Sequence, residues 1–338
     1  MAIQINGETK RIGLALSGGG FRAAAFHLGV FRMLESLGLL WKIDLLSCVS
    51  GGSIAGGFLA ANWGKADTLN RLEQYLKTKS IAVSSVLLGA LNPFTTRLDE
   101  LAKSYDRDLF NDMTLSALKK GPRIYFNATN LSTGNAFFFV AGEDKASEMG
   151  EWELHFVPAE DIRVSKAVAA SSAFPPVFPP LLLGQDIYAA AQTEYVTLSD
   201  GGIYDNLGVN PLLRVERNRL DYAIVSDAGK PFAIDETPTE AGTGVLFETI
   251  SILMEQVRGL QFSRMELSWR AKNGPKPMWF SIDSELGQIH SGDAAYASAI
   301  STNLKKLKDA ELEVLTRHGA ALLEHRLRTY TPELLRTT

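Results

Sequence analysis

The sequence predicts an α/β fold in which a central, mostly parallel sheet is covered by helices. Three observations carry the prediction. Apolar runs of strand length alternate with stretches of helical periodicity along roughly the first 230 residues, and the first two such runs end in glycine-rich turns that open helices. The 338 residues, 46% hydrophobic and 21% charged, can also bury one sizeable core.

Taken in order, residues 12–16 are a short apolar run closed by Ser17-Gly18-Gly19-Gly20, which reads as a buried strand feeding a glycine turn. Over residues 23–37, Phe26, Val30, Met33, Leu34 and Leu37 recur at helical spacing, and Gly38 supplies a C-terminal stop. Residues 43–49 form a second apolar run, broken at Ser50-Gly51-Gly52, and residues 54–63 return to a helical pattern. Strand, helix, strand, helix is the order of a parallel sheet. Further strands are expected at 123–128, 136–140, 195–198 and 221–225, with helices at 165–171 and 211–216. After Thr237 the texture changes: Leu246, Phe247, Ile250, Leu253, Met254, Val257 and Leu260 trace an amphipathic helix, and residues 310–327 another. Residues 1–235 thus read as the α/β unit, and 236–338 as a mostly helical extension packed on it or regulating it.

A formal net charge of -4 argues against a generally basic, nucleic-acid-binding surface. The single cysteine, Cys48, excludes an intramolecular disulfide framework and a multi-cysteine metal site, and points to a reducing, cytoplasmic setting. The N-terminal stretch lacks the apolar run of a signal peptide, and no segment approaches the ~20 apolar residues of a membrane span. Contact with membranes is therefore expected to be peripheral. Two apolar segments, 81–94 and the proline-rich 174–183, are either core or a lid and acyl-chain contact. The amphipathic helix near 246–260 is a candidate contact between copies in a homo-oligomer.

The strongest local signal is Leu46-Ser47-Cys48-Val49-Ser50-Gly51-Gly52-Ser53, a serine where a strand turns abruptly into a helix. Such an elbow lifts the hydroxyl above the sheet and needs small neighbours; its usual form is G-x-S-x-G. Read around Ser50 the first glycine is replaced by Cys48, and read around Ser53 the last is replaced by Ala55. Ser50 directly follows the strand and precedes two glycines, which favours it as nucleophile and leaves Ser53 as the alternative. A plain helix-capping serine fits the same pattern.

Gly18, Gly19 and Gly20 offer backbone N–H groups at a helix mouth, suited to a developing oxyanion or to a phosphate. Gly18-x-Gly20-x-x-Ala23 also satisfies the relaxed dinucleotide fingerprint, but the acidic residue expected about 20 positions on is missing, Glu35 being too early. In Ser199-Asp200-Gly201-Gly202, Asp200 ends a strand and could serve the serine as base or simply cap a turn; Asp205 and Asp227 compete with it. Of the five histidines only His290 has the chain order of an α/β-hydrolase triad, and nothing around it marks it as catalytic.

Taken together and in this order, the SGGGFRAAAFHLGV block, the CVSGGS elbow and SDGGIYDNLGVNP resemble the patatin-like phospholipase family, as do residues 126–134 and 169–175; the likeness spans about residues 10–230. The resemblance implies a three-layer α/β/α patatin-like domain and a histidine-free serine–aspartate dyad acting on acyl esters of lipids. By position it makes Ser50 the nucleophile, Asp200 the base and Gly18, Gly19 and Gly20 the oxyanion donors, with Arg22 supporting the loop or meeting substrate. Cys48 departs from the family's first elbow glycine.

The function expected is a lipid acyl hydrolase, phospholipase A or lysophospholipase-like, needing no metal or other cofactor, with a lipid or membrane-surface substrate and no nucleic acid partner. An aspartate at its ordinary pKa of ~3.9 is a weak base, so a water-poor setting that raises it is expected. A soluble carboxylesterase or thioesterase on the same dyad, and a non-catalytic lipid- or partner-binding scaffold, are the alternatives.

Overall fold

A computed structural model describes residues 3–81, 96–189, 194–232, 238 and 240–336; most of the apolar segment 81–94 lies outside the described residues. The chain opens with a hairpin, β1 (Ile3–Ile5) on β2 (Glu8–Lys10). There follow β3 (Ile12–Leu16), α1 (Gly20–Ser36), β4 (Leu45–Cys48), α2 (Gly51–Ala61), α3 (Thr68–Thr78) and α4 (Arg97–Tyr105). The middle of the chain forms β5 (Arg123–Asn130), β6 (Asn135–Ala141), β7 (Glu148–Glu151), β8 (His155–Pro158), α5 (Val164–Ser171), β9 (Leu181–Gly184), β10 (Tyr195–Asp200) and α6 (Gly202–Asp205). The last third contributes β11 (Tyr222–Asp227), α7 (Thr243–Arg270), β12 (Lys276–Ser281), α8 (Asp293–Ala299) and α9 (Asp309–Tyr330).

One sheet organises the molecule, in the order β12-β11-β3-β4-β5-β6-β7-β8, with β10 on β5 and β9 on β10. From β12 to β5 neighbours are parallel; β6, β7, β8, β9 and β10 are antiparallel. The change has a simple cause: short turns such as residues 131–134 leave no chain for a crossover helix, so successive strands must reverse. The sheet is mixed, and its parallel half carries the glycine turns.

The central strands β3, β4, β5 and β11 are buried on both sides, and alternate residues feed separate cores. Leu14, Leu16, Leu46, Cys48, Ile124 and Phe126 join the larger one, with Phe26 and Phe31 of α1, Leu59 of α2 and Leu322 of α9. Ala15, Leu45, Tyr125, Ala223 and Val225 join the smaller one, with Leu207, Leu212 and Met265 of α7. This gives the α/β/α layering.

The region beyond 235 enters both the sheet and the core. β12 pairs with β11 over six residues, from Tyr222↔Lys276 to Asp227↔Ser281. α9 lies so close to α1 that a Cβ on Gly29 would stand 2.0 Å from the Thr316 carbonyl oxygen, and one on Gly319 would stand 2.3 Å from that of Phe26. The helix expected at 211–216 is instead a 3₁₀ turn, Asn210–Leu213, whose Pro211 suits a first turn but whose following residues run straight into a loop. Strands β7, β8 and β9, at four residues each, are too short to leave a periodic signature.

Candidate active site

The site is made by β5. Its one edge is taken by β6, so β4 and β10 share the other, approaching end to end: Cys48 lies opposite Phe126, and Asp200 opposite Ala128. The chain leaving β4 turns out of the sheet in that gap, bringing the Ser50 hydroxyl close enough to the Asp200 carboxyl to favour its charged form.

Ser50 has φ 50° and ψ -114°, a conformation that costs a non-glycine residue on the order of 1–3 kcal/mol and persists only when its surroundings enforce it. Here the enforcement is visible. The Ser50 N–H donates to Ser171 Oγ (3.0 Å), and Ser171 Oγ donates to the Asn127 carbonyl (2.6 Å). Because Ser171 has only one proton, Ser53 Oγ, 2.8 Å away, must donate to it as well. Asn127 Nδ2 in turn binds the Cys48 carbonyl (2.8 Å) and Ser47 Oγ (3.0 Å). Ser53, the other candidate nucleophile, is thus fully buried in the first turn of α2 with its proton committed, whereas Ser50 is half-exposed.

Close backbone approach demands the glycines around the elbow. A Cβ on Gly51 would stand 2.2 Å from the Gly20 carbonyl oxygen, and one on Gly52 the same distance from that of Leu16. Cys48 is accommodated because its Sγ occupies the space a side chain at position 56 would need, 2.4 Å from where a Cβ on Gly56 would be. One glycine is absent from the elbow and another, one element later, makes room for what replaced it.

Asp200 is buried, and burial pushes its carboxyl up to about 7 against the lowering effect of the Gly202 N–H (2.7 Å to Oδ1) and the Ser50 hydroxyl. Its main chain is pinned through the N–H to the Ala173 carbonyl (3.1 Å) and through the carbonyl to Thr129 Oγ1 (2.8 Å). Residues 174–183 therefore start beside the site; Phe178, Leu181 and Leu183 pack into the core while Val177 and Leu182 are exposed.

The glycine loop borders the elbow: a Cβ on Gly18 would lie 3.2 Å from Ser50 Cβ. Its three N–H groups differ. That of Gly18 is already bonded to the Asn206 carbonyl (3.2 Å), whereas those of Gly19 and Gly20 bond no acceptor among the described residues, and neither does that of Gly51. Gly19 and Gly20 both adopt positive φ, 136° and 59°. Arg22 is buried, its guanidinium donating to the carbonyls of Ser298, Ile300 and Ala228; burial pushes its pKa down to about 10, which still leaves it charged at neutral pH. It faces protein rather than open solvent, and it fastens α1 to the segment before α9.

The competing groups have other partners. Asp205 accepts from the N–H groups of Leu207, Gly208 and Asn210, clamping its own loop, and Asp227 pairs with Arg258 (2.6 Å). His27 is buried between Ser226 Oγ and the Ser17 carbonyl, and desolvation holds its pKa down at about 4, so it is neutral. His290 is an exposed loop residue. No histidine hydrogen-bonds to Ser50 or Asp200 among the described residues.

A three-layer α/β scaffold with a serine elbow at the end of a parallel strand sets the class of the fold. Residues 14–213 match the family described as Patatin-like phospholipase, and the chain belongs to that family, a family of lipid hydrolases. No curated protein matches it significantly in sequence. Among solved structures it is similar to human GIVD cytosolic phospholipase A2, with a TM-score of 0.63 and 14% identity over 97% of this chain and 60% of the other. A structure of the same human enzyme with methyl gamma-linolenyl fluorophosphonate and terbium chloride gives a TM-score of 0.59 and 15% identity, covering 97% and 59%. The chain thus spans about 60% of the length of these structures, and at such identities the likeness is one of fold.

Proposed function

We propose that the protein is a lipid acyl hydrolase of the phospholipase A or lysophospholipase type, with Ser50 as nucleophile and Asp200 as base. The observation that carries this reading is the strained, half-exposed Ser50 beside a buried carboxyl whose pKa burial pushes up to about 7. Asp200 takes the Ser50 proton as Oγ attacks the ester carbonyl; the leaving alcohol collects that proton, and an acyl-enzyme remains. Water attacks the acyl-enzyme, giving its proton to Asp200, and the fatty acid leaves as Ser50 recovers a proton. The free N–H groups of Gly19 and Gly20, with that of Gly51, are the oxyanion donors this geometry favours; Gly18 contributes by letting the loop lie against the serine. Arg22 acts by holding that loop.

The substrate class rests on the family match, and the fluorophosphonate described with the human enzyme suggests the probe. Fluorophosphonate labelling with mass-spectrometric site mapping is expected to modify Ser50. The label should vanish in Ser50→Ala and fall sharply in Asp200→Asn, while fatty-acid release from phosphatidylcholine and lysophosphatidylcholine drops by at least about 10⁴-fold in Ser50→Ala. Labelling at Ser53, or release undiminished in Ser50→Ala, would refute the assignment; hydrolysis of short soluble esters alone would move the protein to the esterases.

A further inference from the structure

α7 is fastened to the body along one side. Arg258 reaches Asp227 and Ser281, Phe262 packs on Trp279 with ring centroids 4.9 Å apart, and Gln261 and Met265 are buried. Positions 258, 261, 262 and 265 form one helical face. On the other side Leu246, Leu253, Leu260 and Leu267 are 59%, 60%, 70% and 66% exposed, one at every seventh residue. Single exposed leucines are ordinary, but four in register along a 28-residue helix form the kind of patch that marks an interaction site.

The period identifies the kind of partner. A straight helix lets a sevenfold row drift by about 20° per heptad, and the row keeps to one line only when the helix winds left-handed around another helix. A membrane surface imposes no such period; interfacial helices use a broad apolar arc rimmed by Lys and Arg. Here the row is flanked on one side by Thr249, Gln256 and Ser263 and on the other by Ile250, Val257 and Arg264, so a single cation borders it. The half-buried Ile250 and Val257 stand four residues after Leu246 and Leu253, adding the second apolar series that a heptad seam between helices requires.

We propose that α7 is a dimerisation helix whose leucine row, with Ile250 and Val257, packs against the same face of a second copy of this chain, antiparallel, about a twofold axis near residue 255. The row is uncharged, so it meets its own copy without repulsion. Arg264 sets the direction. It continues the Ile250 and Val257 series, so parallel pairing would face Arg264 with Arg264, whereas antiparallel pairing, which sets Ile250 against Leu260 and Leu253 against Val257 of the second copy, carries the two arginines to opposite ends of the contact. Twenty-eight residues span about 42 Å, and a face about 10 Å wide covers several hundred Å² per copy, near the lower bound for a specific interface. The dimer is accordingly a micromolar, concentration-dependent one.

The test uses the full chain and needs no activity. In sedimentation velocity from about 1 to about 100 µM, the wild type should pass from a 36.9 kDa monomer toward twice that mass. Leu253→Gln/Leu260→Gln should stay monomeric with unchanged circular dichroism, both leucines being exposed. Because Cys48 is buried, engineered thiols report alone: Gln256→Cys should cross-link two chains on mild oxidation and Thr249→Cys should not. A wild type still monomeric at the highest concentration, or a dimer that survives the double substitution, overturns the proposal; equal cross-linking at 249 and 256 overturns the antiparallel arrangement. Flotation of monomeric wild type with phosphatidylcholine–phosphatidylglycerol vesicles, lost in the double variant, assigns the face to lipid instead.

Discussion

Burial pushes the Asp200 carboxyl up to about 7 because it outweighs the Gly202 N–H and the neighbouring Ser50 hydroxyl, which favour its charge, and the direction of that shift fixes the pH dependence of the proposed reaction. A general base must be unprotonated, so kcat/KM should rise about tenfold per unit below pH 7 and level off above it, with no plateau in Asp200→Asn. Stability runs the other way. A carboxyl near 7 when folded and 3.8 when unfolded holds its proton more tightly in the native state between those values, so its contribution falls as pH rises from about 4 to about 7. Asp200→Asn should therefore be less stable relative to wild type at pH 4 than at pH 8, by up to a few kcal/mol in the difference; a pH-independent difference in urea titrations would contradict the raised pKa. Also at this scale, Cys48 and Gly56 form a compensating pair. Gly56→Ala should cost about 1–3 kcal/mol through overpacking on Cys48 Sγ and Leu16, and combining it with Cys48→Gly should recover at least about 1 kcal/mol of that. Additive losses in the double-mutant cycle would show that the two do not share the space.

At the scale of elements, the crossing of α1 and α9 decides how the end of the chain is attached. Alanine ordinarily favours a helix interior over glycine by about 1 kcal/mol. At Gly29 and Gly319 that preference should lose, since a Cβ at either would meet a backbone oxygen of the facing helix, which cannot rotate away. Gly29→Ala is expected to lower stability by about 2 kcal/mol or more and to shift Tm down; a rise in Tm would mean that the helices do not approach so closely. The elbow obeys similar logic. Ser50 keeps its left-handed backbone because α5 supplies Ser171 and β5 supplies Asn127, so a local turn is held by two distant elements.

For the whole molecule, β12 and α9 enter the same sheet and core as the proposed catalytic residues, which bears on whether residues 1–235 can stand alone. Truncation at 235 would bare the edge of β11, which lies next to β3, and the apolar face of α1 beneath Leu315 and Leu322. Such a fragment is expected to aggregate or to lack a cooperative unfolding transition, and a folded, probe-reactive 1–235 fragment would establish the C-terminal region as an appendage. Among the described residues no helix is long and apolar enough to cross a membrane.

The layered α/β fold, the strand–glycine–helix turns and the serine elbow were legible in the sequence because each is local: apolar period, turn chemistry and small residues within a few positions specify them. The ordered blocks were enough to indicate the family. Only the tertiary structure decided what was paired with what. Positions 50 and 200 meet because β4 and β10 share one edge of β5, a pairing that leaves no trace in either segment. Which glycine N–H groups stay free depends on the Asn206 carbonyl, and Arg22 is enclosed by carbonyls from residues 228, 298 and 300. The tolerance for Cys48 depends on a glycine on the neighbouring helix, and the membership of β12 in the sheet on a register with β11. Local sequence sets the shape a segment can take; burial, hydrogen-bond partners and pKa are properties of neighbours, and the neighbours are chosen by the fold.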